Sequence, residues 1–108
     1  MEISTLLIAN RSEIAIRIAR AASDLGIRGV AIYSKDDHDN LHLRVADETA
    51  ALAGTGPNAY LDINNIISIA KERGCEAIHP GYGFLSERAD FAERCRKEGS
   101  VSYTHLRA

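Results

Sequence analysis

A chain of 108 residues, 45% hydrophobic and 26% charged, holds one domain with one modest core and excludes a self-contained two-substrate ligase. Its 13 basic and 15 acidic residues leave a net charge of -2, so no nucleic-acid partner is expected. No apolar run approaches the roughly 20 residues that cross a bilayer, no leader pattern opens the chain, and Cys75 and Cys95 make no disulfide scaffold; the expectation is a reducing, cytoplasmic compartment and no membrane partner.

Residues 3–9 form a short apolar run without polar alternation, the pattern of a strand buried on both faces. Ile14, Ile18, Ala21, Ala22 and Leu25 then recur at helical spacing, with Asn10 and Glu13 placed as a capping box and Gly26 closing the helix. Residues 30–33 read as a second strand, followed by a polar loop over 34–40, and residues 49–53 as a weaker third strand before the turn at 54–58. Asp62 caps a second helix carried by Ile63, Ile66, Ile67 and Ala70, with Leu61 and Ile66 spaced as a hydrophobic staple. Gly74 ends it, residues 75–79 give a fourth strand, and Pro80 to Gly83 breaks the chain. Ser86 can cap a third helix through Ala89, Ala92 and Cys95 to Gly99.

Strands alternating with helices imply an α/β fold, a doubly wound, Rossmann-like parallel sheet of four to five strands with helices on both faces. Ligands in such sheets sit beyond the carboxyl ends of the strands where the strand order reverses, which singles out residues 10–12 and 79–83. In the second loop, Gly81 and Gly83 flank Tyr82 just ahead of a helix start. The run reads either as an anion-favouring ligand edge or as a tight strand-to-helix turn packed on Tyr82 and Phe84. Asn10-Arg11-Ser12 replaces the Gly-x-Gly of a dinucleotide fingerprint, which argues against a standard NAD site, and no Asp ends the first strand as a receiver domain requires. On the first helix Glu13, Arg17, Arg20 and Asp24 form one stripe, either a solvated face with ion pairs or a symmetric dimer surface. His38 and His42 near Asp36, Asp37 and Asp39 read as turn chemistry rather than a metal site, and the two cysteines as small buried hydrophobes.

Residues 7–15, Leu-Ile-Ala-Asn-Arg-Ser-Glu-Ile-Ala, closely resemble the opening of biotin carboxylase. Residues 46–49, 59–63 and the run 77–87, Ala-Ile-His-Pro-Gly-Tyr-Gly-Phe-Leu-Ser-Glu, resemble it in order and spacing, so that the likeness covers about residues 5–99. The resemblance implies a Rossmann-like N-terminal domain preceding an ATP-grasp domain. It implies a ligase that uses ATP, Mg2+ and bicarbonate, by way of carboxyphosphate, to carboxylate N1 of biotin on a carrier protein. The related enzymes are acetyl-, propionyl- and methylcrotonyl-CoA carboxylases, pyruvate carboxylase and urea carboxylase. The implied partners are a biotin carboxyl carrier protein or domain, the remaining carboxylase domains and a second copy in a homodimer.

Carried over residue by residue, Tyr82 and Gly83 match positions lining the biotin pocket, while Arg17, Arg20 and Asp24 match the helix of the bacterial dimer interface. Glu87 belongs to the motif with a helix-start or supporting role, and no catalytic residue or metal ligand is assigned to the chain. Two positions depart from the pattern: Ser12 replaces the usual Gly and Arg88 the common Asn. Residues 100–108 depart altogether from the expected apolar fifth strand. They read as a foreign or disordered end, with a poor edge strand the alternative. The expectation is a carboxylase N-terminal domain over residues 1–99 that is inactive alone. The competing expectation is a stand-alone Rossmann-like binding or interaction module.

Overall fold

The apolar run near the start of the chain becomes the centre of a five-stranded parallel sheet. A computed structural model describes residues 4–37, 45–80, 89–98 and 102–103. In chain order these give β1 (Thr5–Ile8), α1 (Ser12–Asp24), β2 (Arg28–Tyr33), a 3-10 turn (Lys35–Asp37), β3 (Glu48–Ala51), a second 3-10 turn (Pro57–Leu61), α2 (Ile63–Glu72), β4 (Ala77–His79), α3 (Ala89–Glu98) and β5 (Ser102–Tyr103). The strand order is β3-β2-β1-β4-β5, with every pair parallel. The register sets Ile8 beside Ala31 on one side and beside His79 on the other.

Alternation along β1 sorts the core into two layers. Leu6 and Ile8 pack with Ala15, Ile18, Ala19, Ala22 and Ala77 beneath α1. Leu7 and Ala9 point to the opposite face, with Val30, Ile32, Ile78 and the inner sides of α2 and α3. Leu7, Ile8 and Ala9 are fully buried, as a strand covered by helices on both sides must be. The doubly wound α/β reading therefore holds.

Both long helices that the structure describes to their C-terminal ends close in the same way. At the end of α1, Ile27 N–H donates to Ala22 O at 2.8 Å and Gly26 N–H to Ser23 O at 3.0 Å, with Gly26 at φ 74°. At the end of α2, Cys75 N–H donates to Ala70 O at 2.8 Å and Gly74 N–H to Lys71 O at 3.2 Å, with Gly74 at φ 70°. This doubled pattern is a Schellman closure, which needs a left-handed residue that glycine adopts without a Cβ penalty. It also explains why β4 begins at Ala77 and not at Cys75: the Cys75 amide is committed to the helix end. Asp62 caps α2 as expected, its Oδ1 accepting from Asn65 N at 3.1 Å, and Leu61 and Ile66 share one core cluster.

Two local expectations need correction. Asn10 does not cap α1; the N-cap is Arg11, in extended backbone and without a side-chain cap bond, and the Asn10 Oδ1 that would cap accepts from Arg11 N instead. Ala21 is exposed and Leu25, the C-cap residue, is 76% exposed. The buried stripe of α1 is instead Ala15, Ile18, Ala19 and Ala22. Ser12 is the first residue of α1, so the position usually held by Gly is helical here and tolerates a side chain. At the far edge, residues 102–103 pair with Ala77 and Ile78 as β5, which is the edge-strand alternative for the start of the tail.

Candidate functional site

The sheet order creates one switch point. From β1 the chain crosses by α1 to β2 on one side; after β3 it returns by α2, on the other face, to β4 on the far side of β1. The carboxyl ends of β1 and β4 are thus neighbours, and the crevice beyond them is where ligands bind in this class of sheet. The two loops singled out by sequence leave from these ends.

The loops are bonded to each other. Ala9 N–H donates to His79 O at 3.0 Å, extending the ladder one step past β1. One residue further, Asn10 Nδ2 donates to Pro80 O at 2.6 Å, while Asn10 Oδ1 accepts from Arg11 N at 2.8 Å. Asn10 is 1% exposed, one of two polar residues among the described ones that lie this deep. A buried carboxamide costs several kcal/mol, of order 2–7, unless bonded, and here both ends are bonded. Tyr82, Gly83 and Glu87 follow directly along the chain, as does Arg88, and lie outside the described residues.

A second arrangement lines the same carboxyl edge at β2 and β3. Ser34 is fully buried just after β2, and its N–H donates to Tyr60 Oη at 3.2 Å across the core. Ser34 Oγ donates to Asp36 Oδ1 at 2.6 Å, and Gly56 N–H donates to the same oxygen at 2.9 Å. The Gly56 amide, then the Ser34 hydroxyl, hold the Asp36 carboxyl below the usual carboxylate range, and the charge of Arg11 adds to this. Three loops, after β1, β2 and β3, are thereby coupled at one edge of the sheet. Sequence reasoning missed Ser34 and Tyr60; the available signal was a Ser immediately following a fully apolar strand.

The α1 stripe sits elsewhere. Glu13, Arg17, Arg20 and Asp24 are all exposed, and Glu13, Arg17 and Arg20, with Ile14 and Ile16, line an open depression of about 550 Å³. Among the described residues the ion pairs join Arg28 (2.6 Å) and Arg73 (2.9 Å) to Glu48, and neither pair suggested by spacing along α1 is formed. The stripe is therefore a set of charges that none of the described residues pairs.

His38, His42 and Asp39 lie outside the described residues, and among those described no group of three or more His, Cys, Asp or Glu is placed to hold a metal ion. Cys75 and Cys95 are buried and not in a disulfide, and burial pushes the Cys75 thiol up to about 11, which leaves it a packing residue and not a nucleophile. No helix among the described residues is long and apolar enough to cross a membrane.

Comparison with known proteins bears directly on this edge of the sheet. The sequence profile of the family "Biotin carboxylase, N-terminal domain" matches residues 2–102. Biotin carboxylase 1 of Bacillus subtilis is 56% identical over 99 residues, covering 88% of this chain and 21% of that protein. The mitochondrial pyruvate carboxylase of Rattus norvegicus is 55% identical over 100 residues, covering 90% of this chain and 8% of that protein. The solved biotin carboxylase domain of a single-chain bacterial carboxylase superposes with a TM-score of 0.87 at 49% identity, over 92% of this chain and 23% of that one. The chain thus spans about a fifth of one curated relative and less than a tenth of the other, and strands β1 to β4, with the β1–β4 switch point, fall inside the matched region. The chain belongs to the biotin carboxylase N-terminal domain family.

Proposed function

We propose that this chain is the N-terminal domain of the biotin carboxylase component of a biotin-dependent carboxylase, and that it forms one wall of the active site without carrying the chemistry. The observation that supports this most is the adjacency of β1 and β4, which brings the Asn10 and Pro80 loops to one crevice inside the family match. On this reading Tyr82 presents a flat apolar face to the bicyclic ring of biotin, and Gly83 allows close backbone approach. Glu87 supports that loop near the start of the following helix.

The rest of the reaction needs cationic groups and magnesium around phosphates, and a base for bicarbonate. We assign those to the ATP-grasp and C-terminal parts of the parent, together with ATP itself. The carrier protein or domain delivers biotin to the crevice from outside. The α1 stripe of Arg17, Arg20 and Asp24 serves a second copy, each Arg pairing with an acid on the partner. Two buried cysteines outside any disulfide suit a reducing compartment such as the cytoplasm.

The test is a domain exchange. Residues 1–99 replace the matching region of Bacillus subtilis biotin carboxylase 1, and bicarbonate-dependent ATP hydrolysis is followed with free biotin. The hybrid should turn over and the 108-residue chain alone should not. Biotin carboxylation by the chain alone, or a folded hybrid with no activity, overturns the proposal. Biotin binding without turnover in any context favours a binding module instead.

A further inference from the structure

We propose that Asn10 is a positioning residue for biotin, acting through Pro80 to set the direction in which the chain leaves β4; this rests on the reading just given. The hydrogen-bonded ladder between β1 and β4 ends with Ala9 N–H on His79 O. The next carbonyl, that of Pro80, is captured by the Asn10 side chain at 2.6 Å. The side chain thus takes over where the backbone ladder stops, one residue before Gly81-Tyr82-Gly83. Pro80 has no N–H and a restricted φ, so its carbonyl is the group through which the peptide plane leading into that run is held.

Asparagine suits the position because both ends of its amide are used. Oδ1 faces the Arg11 N–H and Nδ2 faces the Pro80 carbonyl, which fixes the amide orientation. Aspartate has the same shape and keeps the Arg11 contact but places an acceptor against Pro80 O. Alanine removes both bonds. The site is 1% exposed, so water does not readily replace the lost donor. The three-way bond also joins the α1 entry to the β4 exit, so a change at position 10 reaches the biotin side of the crevice without touching a ligand.

The test has two arms. In the 108-residue chain, Asn10→Asp should shift backbone amide resonances at 9–11, 79 and 81–83 and leave those of β2, β3 and α2 unchanged. Shifts that are absent at 79 and 81–83, or spread evenly over the sheet, overturn the proposal whatever the chain's activity. In the domain-exchange hybrid, Asn10→Asp and Asn10→Ala should raise KM for biotin by about tenfold or more, since small misplacements of a bound reactant reach 100-fold. KM for ATP should stay within about twofold. A purely structural role lowers the amount of active protein and so scales kcat without splitting the two KM values. An unchanged KM for biotin, or equal rises in both, overturns the proposal. An inert unsubstituted hybrid refutes the functional reading instead, and the resonance arm still decides the Asn10–Pro80 link.

Discussion

Replacing Tyr60 by Phe removes one oxygen from the core and nothing else. The ring is fully buried against α2 and the sheet, so its packing persists in the variant. The loss includes the acceptor for Ser34 N–H, a 3.2 Å bond at a residue that is itself 0% exposed. A neutral hydrogen bond contributes about 1 kcal/mol net, and a buried donor left unpaired costs about 1–3 kcal/mol, so the variant should lose about 1–3 kcal/mol. Domains of 60–100 residues lose roughly 4–8 °C of Tm per kcal/mol, and this chain is only slightly longer, which gives a drop of roughly 4–24 °C. Thermal unfolding followed by far-ultraviolet circular dichroism, with Tyr60→Leu as a reference for added loss of packing, measures it. Tyr60→Leu should fall further, because it adds a void to the lost bond. A Tm change below about 2 °C for Tyr60→Phe, at the precision that scale implies, would refute the claim that the Ser34 amide depends on this oxygen.

Other outcomes follow from the same coordinates. Gly74→Ala should cost about 1–2 kcal/mol purely from left-handed backbone, since a Cβ there meets nothing within 4 Å; Gly74→Asn should cost less, and equal losses for both in denaturant titration would count against the backbone cause. Glu76 Oε1 accepts from Ser4 N (2.7 Å), Ser4 Oγ (2.5 Å) and Thr5 N (3.0 Å), the first two from Ser4 weighing most in holding its carboxyl below the usual range. With the folded value depressed, its stabilisation is present above the unfolded value near 4.5 and is lost as pH falls through the folded one. Glu76→Gln should therefore flatten the fall in Tm below about pH 4.5, and an unaltered acid limb would remove the clamp from the account. Arg20→Glu should weaken self-association of a dimeric parent in sedimentation velocity, whereas an unchanged profile would return the α1 stripe to a solvated face.

What was legible from sequence was whatever a residue decides within its own turn. Gly26 and Gly74 close helices because the chain must go left-handed there, and Asp62 caps because its carboxylate reaches an amide three residues on. The same local logic misread Asn10. Its spacing to Glu13 satisfies a cap, but Oδ1 accepts from the neighbouring Arg11 N–H while Nδ2 donates to Pro80 O, 70 residues away, so the side chain is oriented across the switch point and not over the first turn of α1. Leu25 failed for a related reason: helical spacing continues the stripe, yet Leu25 is already the C-cap, with non-helical backbone. The motif over residues 77–87 pointed to the candidate edge, while the bonds described along that edge, through Ser34, Tyr60 and Asp36, required knowing which strands become neighbours.

The competition at Asn10 also bears on what this domain contributes to a larger enzyme. A capping asparagine would stabilise α1 alone, and its loss would be a matter of folding. An asparagine bonded across the switch point ties the start of α1 to the exit of β4, so the helix and the loop that follows β4 share one anchor. α1 also carries the exposed Glu13, Arg17, Arg20 and Asp24 stripe on its outer side. If a second copy binds that stripe, a shift of α1 on association reaches Pro80 through the buried Asn10 amide. Asn10→Asp keeps the shape of that link and removes its donor, so an effect of dimerisation on biotin affinity should vanish in the variant while dimerisation itself persists. Loss of both together would mean that the amide supports the helix and does not transmit its position.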